Sequence, residues 1–223
     1  MNRKTETLAA LKETGVVAVI RTDSPSDLLD VGRALSEGGV KFLEITMTVP
    51  GALGVVEKTV AALRGEGVYV GVGTVLDAET ARLAILAGSD YIVTPVFRPS
   101  VVEMCLRYGV AVMPGALTPT EVLSAWEAGG DVVKIFPAGI GGPQYFKDLK
   151  GPLGQVELMP TGAVNRTTAP LFIKAGACAV GVGGELAGKE AIAKRDFSSI
   201  TRNAADFIAL VATARKEMAL LNG

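Results

Sequence analysis

The stretch AGGDVVKIFP occupies residues 128–137. Gly129 and Gly130 close a helical pattern, and Val132-Val133-Lys134-Ile135-Phe136 follows before Pro137. Glycine just past a helix takes the left-handed turn that ends it. A short run rich in β-branched residues then favours a strand. The same punctuation recurs at GGVKFLEIT (38–46), GEGVYVGVGT (65–74), AGSDYIVTP (87–95), YGVAVMPG (108–115) and AGACAVGVGG (175–184). VVAVI (16–20) and VELMPTG (156–162) complete a set of eight.

These runs begin near residues 16, 42, 69, 91, 111, 132, 157 and 179. Amphipathic segments fill the intervals, among them SDLLDVGRALSEG (26–38), AETARLAILAG (78–88), PTEVLSAWEAG (119–129) and TAPLFIKAG (168–176). Apolar strands alternating with helices predict a parallel sheet covered by helices. Eight such units predict an α/β (β/α)8 TIM barrel, with residues 1–223 forming one domain. A helix over about 4–14 precedes the first strand, and a long one over 198–220 ends the chain. An open doubly wound sheet is the alternative, but no G-x-G-x-x-G follows the first strand.

Composition narrows the chemistry. The 223 residues are 49% hydrophobic and 20% charged, enough apolar mass for a large core. Lys plus Arg number 22 against 23 Asp plus Glu, so nucleic acid is not an expected partner. No run approaches the ~18 apolar residues of a membrane span. The N-terminal MNRKTETLAALKETG carries no apolar signal core, and a cytoplasmic location is expected. Histidine is absent, which removes Ser-His-Asp and Cys-His pairs and His-ligated metals. Cys105 and Cys178 sit in apolar patterns and read as core thiols. Neither a metal nor a cofactor is expected.

A barrel of this class carries its chemistry at the C-terminal ends of the strands. Of eleven lysines only Lys134 is enclosed by apolar residues within a strand. Alternation sets Val133 and Ile135 on the helix side and Lys134 with Phe136 toward the barrel interior. Desolvation disfavours the charged amine, and a neutral amine attacks carbonyls to give a Schiff base. A structural ion pair is the alternative role. Among the acids, Glu44 lies in Phe42-Leu43-Glu44-Ile45-Thr46, near a strand end, and is the candidate for moving protons. It too could serve as a simple ion-pair partner. Glu157, Asp90 and Asp131 fall at or before strand starts and read as structural. The last two strands run into Thr161-Gly162-Ala163 and Gly181-Val182-Gly183-Gly184. Such loops can bind phosphate through backbone N–H groups, or serve turn geometry alone.

The motifs Glu44-Ile45-Thr46-Met47-Thr48-Val49-Pro50, Gly71-Val72-Gly73-Thr74-Val75-Leu76, Val133-Lys134-Ile135-Phe136-Pro137-Ala138 and Leu158-Met159-Pro160-Thr161-Gly162 are specific. With them the chain resembles the 2-keto-3-deoxy-6-phosphogluconate (KDPG) and 4-hydroxy-2-oxoglutarate (KHG) aldolases over nearly its whole length. The resemblance implies a class I aldolase that releases pyruvate and an aldehyde. It implies that Lys134 forms the Schiff base, that Glu44 moves protons through a water, and that Thr74 touches the pyruvate carboxylate. Pro95, Phe136 and Thr161 would lie along the site, and the assembly would be a homotrimer acting on a small keto acid. Some members grip the carboxylate with an arginine where this chain has Thr48; Arg21, ending the first strand, could supply that charge. Many members have Thr-Gly-Gly after the seventh strand and a serine after the strand-eight glycines. Here those positions are Ala163 and Gly184, and Glu185 follows. Gly162, Ala163, Gly183 and Gly184 still offer backbone donors, so a weakened phosphate preference is expected. A phosphate-binding isomerase or epimerase and a non-catalytic barrel are the competing readings.

Overall fold

A computed structural model describes residues 2–22 and 25–222. In chain order it has α1 (Arg3–Thr14), β1 (Val16–Ile20), α2 (Leu28–Glu37), β2 (Phe42–Thr46), α3 (Ala52–Leu63), β3 (Tyr69–Gly73), α4 (Ala78–Leu86), β4 (Tyr91–Val93) and α5 (Pro99–Tyr108). It continues with β5 (Ala111–Met113), β6 (Gly115–Ala116), α6 (Pro119–Glu127), β7 (Val133–Ile135), α7 (Gly142–Lys150), β8 (Leu158–Pro160), α8 (Thr168–Lys174), β9 (Val180–Val182), α9 (Lys189–Ala193) and α10 (Phe197–Asn222). Several boundaries follow local chemistry. Gly15 and Gly109 close α1 and α5 in the left-handed conformation. Thr118 and Glu121 form a reciprocal capping box at the start of α6.

All strand pairs are parallel. One sheet runs β5-β4-β3-β2-β1-β9 and the other β6-β7-β8. The fifth expected strand is thus two segments, β5 and β6, broken at Pro114, which has no N–H for the ladder. A side chain bridges this gap. Thr94 Oγ1 accepts from Gly115 N at 3.0 Å and donates to the Val96 carbonyl at 2.6 Å. Between β8 and β9, Cys178 N donates to the Leu158 carbonyl at 3.0 Å, and Thr161 bridges Gly181 in parallel register. Both gaps between the two sheets are therefore crossed by hydrogen bonds.

The apolar residues divide by strand alternation, as period-two side chains must. Val16, Ala18, Leu43, Ile45, Val133 and Ile135 pack with the helices. Val17, Phe42, Tyr91, Met113, Val132 and Met159 form a separate inner cluster, which includes Leu11 of α1. Helix α1 is clamped across the strand starts by three ion pairs. Arg3 meets Asp90 at 2.8 Å, Lys4 meets Asp131 at 2.9 Å, and Lys12 meets Glu157 at 2.6 Å. Asp90 and Asp131 also accept from the backbone N–H groups of Val70 and Val112. These three acids are structural, as their positions at strand starts predict. Cys105 is buried and Cys178 half-buried, both unpaired. Among the described residues no helix is long and apolar enough to cross a membrane.

Candidate active site

Lys134 and Glu44 come together inside the fold from β7 and β2. Lys134 Nζ lies 3.6 Å from Glu44 Oε1, and their side chains are 3% and 0% exposed. The alternation that faces Val133 and Ile135 toward the helices turns Lys134 inward, where Nζ sits 5.3 Å from the centre of the Phe136 ring. Glu44 registers with Val19 on β1 and Gly71 on β3. Its carboxylate lies over Gly73, the next interior position of β3: a methyl group at residue 73 would stand 2.7 Å from Glu44 Cδ and collide with Oε1. The bare interior positions Gly71 and Gly73, beyond Tyr69 on the same face, are what make room for an acid here.

Among the described residues the Glu44 carboxylate has no hydrogen-bonded support. Neither Glu44 oxygen has a hydrogen-bond partner, and the same holds for the buried hydroxyls of Tyr91 and Thr161. A buried polar group without a partner costs about 1–3 kcal/mol. Folding tolerates that where the groups are kept for a ligand or water.

A cleft of about 530 Å³ opens at the C-terminal ends of β1, β7, β8 and β9. Arg21, Phe136, Thr161, Gly162, Ala163, Gly183 and Gly184 line it. Thr48, Thr74 and Pro95 stand after β2, β3 and β4, outside the lining of this cleft. The Thr48 hydroxyl is tied to that of Thr46 at 2.7 Å. Thr74 has φ 60°, a left-handed conformation uncommon for a β-branched residue. Ala163 adopts φ 56° beside Gly162 at φ 88°. Their loop is fixed by Asn165 Oδ1, which accepts from the backbone of Thr167 and Thr168, and by Thr168 Oγ1, which donates to the Ala163 carbonyl.

The cleft also holds two residues that the sequence reading did not single out. Lys189 and Asn165 line it, as does Glu185. Lys189 opens α9 and reads in sequence as one more helix lysine; the turn from Gly183 through Gly188 folds it back over the strand ends. Glu185 is ion-paired to Arg166 at 3.7 Å. Among the described residues of its lining, Arg21 and Lys189 are cationic and Glu185 is anionic. Among the described residues no three His, Cys, Asp or Glu side chains gather closely enough to hold a metal ion.

The chain is similar to known proteins over most of its length. The sequence profile of the family "Aldolase: KDPG and KHG aldolase" matches residues 8–203. The 2-dehydro-3-deoxy-phosphogluconate aldolase of Treponema pallidum is 34% identical over 195 residues, which is 86% of this chain and 91% of that protein. The 2-dehydro-3-deoxy-6-phosphogalactonate aldolase of Escherichia coli is 32% identical over 175 residues, 77% of this chain and 83% of that one. The solved structure called "Native KDPGal structure" superposes with a TM-score of 0.83 at 30% identity, covering 90% of this chain and 96% of the other. The chain belongs to the KDPG and KHG aldolase family.

Proposed function

We propose that Lys134 and Glu44 are the reacting pair of this chain, a class I aldolase that cleaves 2-keto-3-deoxy-6-phosphogluconate, 4-hydroxy-2-oxoglutarate or both to pyruvate and an aldehyde. The observation that carries the assignment is the 3.6 Å contact of a buried lysine with a buried carboxylate, the lysine Nζ lying 5.3 Å from the centre of the Phe136 ring that lines the cleft. The Lys134 amine adds to the C2 carbonyl of the keto acid, and loss of water gives the Schiff base. Glu44 accepts the proton of the C4 hydroxyl. The C3–C4 electron pair moves into the Schiff base, the aldehyde departs, and an enamine remains. The proton returns at C3, and water hydrolyses the imine to release pyruvate and free Lys134.

In this reading Thr74 holds the pyruvate carboxylate, with Arg21 or Thr48 at its edge, and Pro95, Phe136 and Thr161 flank the reacting carbons. The backbone N–H groups of Gly162, Ala163, Gly183 and Gly184 receive the far end of the substrate, where a phosphate would sit. The two sheets are read as one eight-stranded (β/α)8 barrel in a single domain, since hydrogen bonds cross both gaps. A homotrimer is read from the family, and the exposed Leu83 and Leu86 of α4 with Leu106 and Tyr108 of α5 offer it an apolar face. The unpaired thiols suit a reducing compartment such as the cytoplasm.

Borohydride reduction in the presence of pyruvate tests the mechanism. It should add one reduced pyruvate to the chain, on Lys134, with loss of activity. An adduct on another lysine, or none, rejects the assignment.

A further inference from the structure

Three strands place Glu44, Gly71 and Tyr91 in one row, since Glu44 registers with Gly71 and Gly71 with Tyr91. Gly71 has no side chain, and the Tyr91 ring lies over it: a methyl group there would fall within 2.5 Å of Cδ2, Cε2 and Cζ. The hydroxyl end of the ring therefore crosses β3 on its way toward β2. The Phe42 ring, one interior position below Glu44, packs against Tyr91 with centres 5.6 Å apart. The Glu44 carboxylate lies over Gly73, two residues along β3 from Gly71, a rise of about 7 Å. The ring and the carboxylate thus occupy adjacent interior seats on one strand, where one water can stand between hydroxyl and carboxylate. Tyr91 is wholly buried, and its hydroxyl has no partner among the described residues. Both Glu44 oxygens share that condition. A buried phenol ordinarily finds an acceptor, and a buried water forms where two or more polar groups face one site.

We propose that Tyr91 is a positioning residue of the aldolase site, its hydroxyl donating through one internal water to the Glu44 carboxylate. The inference rests on the Lys134–Glu44 reading above. Lys134 is the one basic side chain that meets Glu44 among the described residues, and it leaves that contact when it bonds to substrate. Val19 of β1 and Gly71 and Gly73 of β3, which face Glu44 from either side, carry no polar side chain. Tyr91 then supplies the donor that keeps the carboxylate aimed while the lysine is occupied. The phenol itself remains protonated: burial first, then the Glu44 and Asp90 charges, push its ionisation well above the ordinary value near 10.

Tyr91→Phe keeps the ring and removes only the hydroxyl. It is expected to lower kcat about tenfold with KM for the keto acid unchanged, while pyruvate and borohydride still label Lys134. Equilibrium unfolding of Tyr91→Phe, Glu44→Gln and the double variant gives a readout independent of turnover. Coupling beyond about twofold in the folding constant is expected, since unconnected sites add within that limit. An unchanged kcat with additive stabilities overturns the assignment of Tyr91 while leaving the aldolase reading intact. Wild-type protein that forms no pyruvate adduct overturns the aldolase reading, and the role of Tyr91 falls with it.

Discussion

Gly73 and Glu44 exclude one another's bulk. The interior face of residue 73 is the seat of the Glu44 carboxylate, and a Cβ there would stand 2.7 Å from both Cγ and Cδ of Glu44 and strike Oε1. Gly73→Ala must therefore turn the acid away from Lys134. Removal of a positioned general acid-base group costs about 10²–10⁴ in rate, and Gly73→Ala should fall in that range with little loss of pyruvate adduct on Lys134. Glu44→Gln, which keeps the shape, should match it. Turnover within threefold of wild type in both variants would reduce Glu44 to a structural partner.

Much of this geometry is legible in the chain. Lys134 stands out because Val132, Val133 and Ile135 enclose it, and period two then fixes which way it faces. Glu44 stands out the same way within Phe42-Leu43 and Ile45. What hides are relationships set by neighbours distant in sequence. Tyr91 reads as one more aromatic in an apolar strand, and only the register across Gly71 turns its hydroxyl into a group near Glu44. The period-two glycines 71 and 73 were the available sign, since bare interior positions mean that something large lies over them. Pro114 reads as the end of a strand; that β6 resumes beyond it depends on the Thr94 hydroxyl standing in for a ladder bond. Lys189 is placed in the cleft by a loop whose path no local pattern dictates.

The clamp at the opposite end separates stability from catalysis. The Asp90 side chain is 1% exposed and serves Arg3, Arg64 and the Val70 N–H at once. Breaking one partner of a buried charged cluster costs about 3–5 kcal/mol; both arginines are 42% exposed, and water screens part of that loss. Asp90→Asn should lower stability by about 1–3 kcal/mol and leave kcat near wild type while the protein remains folded. Denaturant unfolding beside initial rates checks this. An equal fall in kcat would mean that strain at the strand starts reaches the active site.

The Cys105 thiol tests the core by titration. Burial pushes it up from its ordinary value near 9 to about 12, with the Lys4 charge a smaller opposing influence. The folded state therefore holds this proton more tightly than the unfolded chain. Its contribution to stability is complete below pH 9 and is lost as pH rises from 9 toward 12. Cys105→Ala should flatten that alkaline decline. Native protein should also resist a thiol reagent at pH 8 at residue 105 and react there on unfolding, read by mass spectrometry. Rapid native labelling of Cys105 would place the thiol in reach of solvent.

On the proposed function, the far end of the cleft sets how strongly phosphate is preferred. Gly162, Ala163, Gly183 and Gly184 can present backbone N–H groups, and Arg21 and Lys189 add positive charge. Glu185 opposes them from the same lining. Its carboxylate is 48% exposed, and Arg166, which pairs with it at 3.7 Å, is also held by Asp206 at 3.1 Å. Arg166 is thus shared between two acids, so Glu185 retains part of its field. Like-charge repulsion at a half-exposed site is worth about 1 kcal/mol, or about fivefold in affinity. The phosphorylated C6 keto acid should therefore be preferred over its unphosphorylated counterpart by a modest ratio of kcat/KM. Glu185→Gln should raise that ratio about fivefold through KM, with kcat unchanged. The gain should shrink at high ionic strength, because the Debye length falls to about 3 Å in 1 M salt. Steady-state kinetics on the two substrates at low and high salt decide the matter. A ratio that ignores residue 185 would mean that the backbone donors alone set the preference, and a ratio of one in both proteins would leave these glycines to turn geometry.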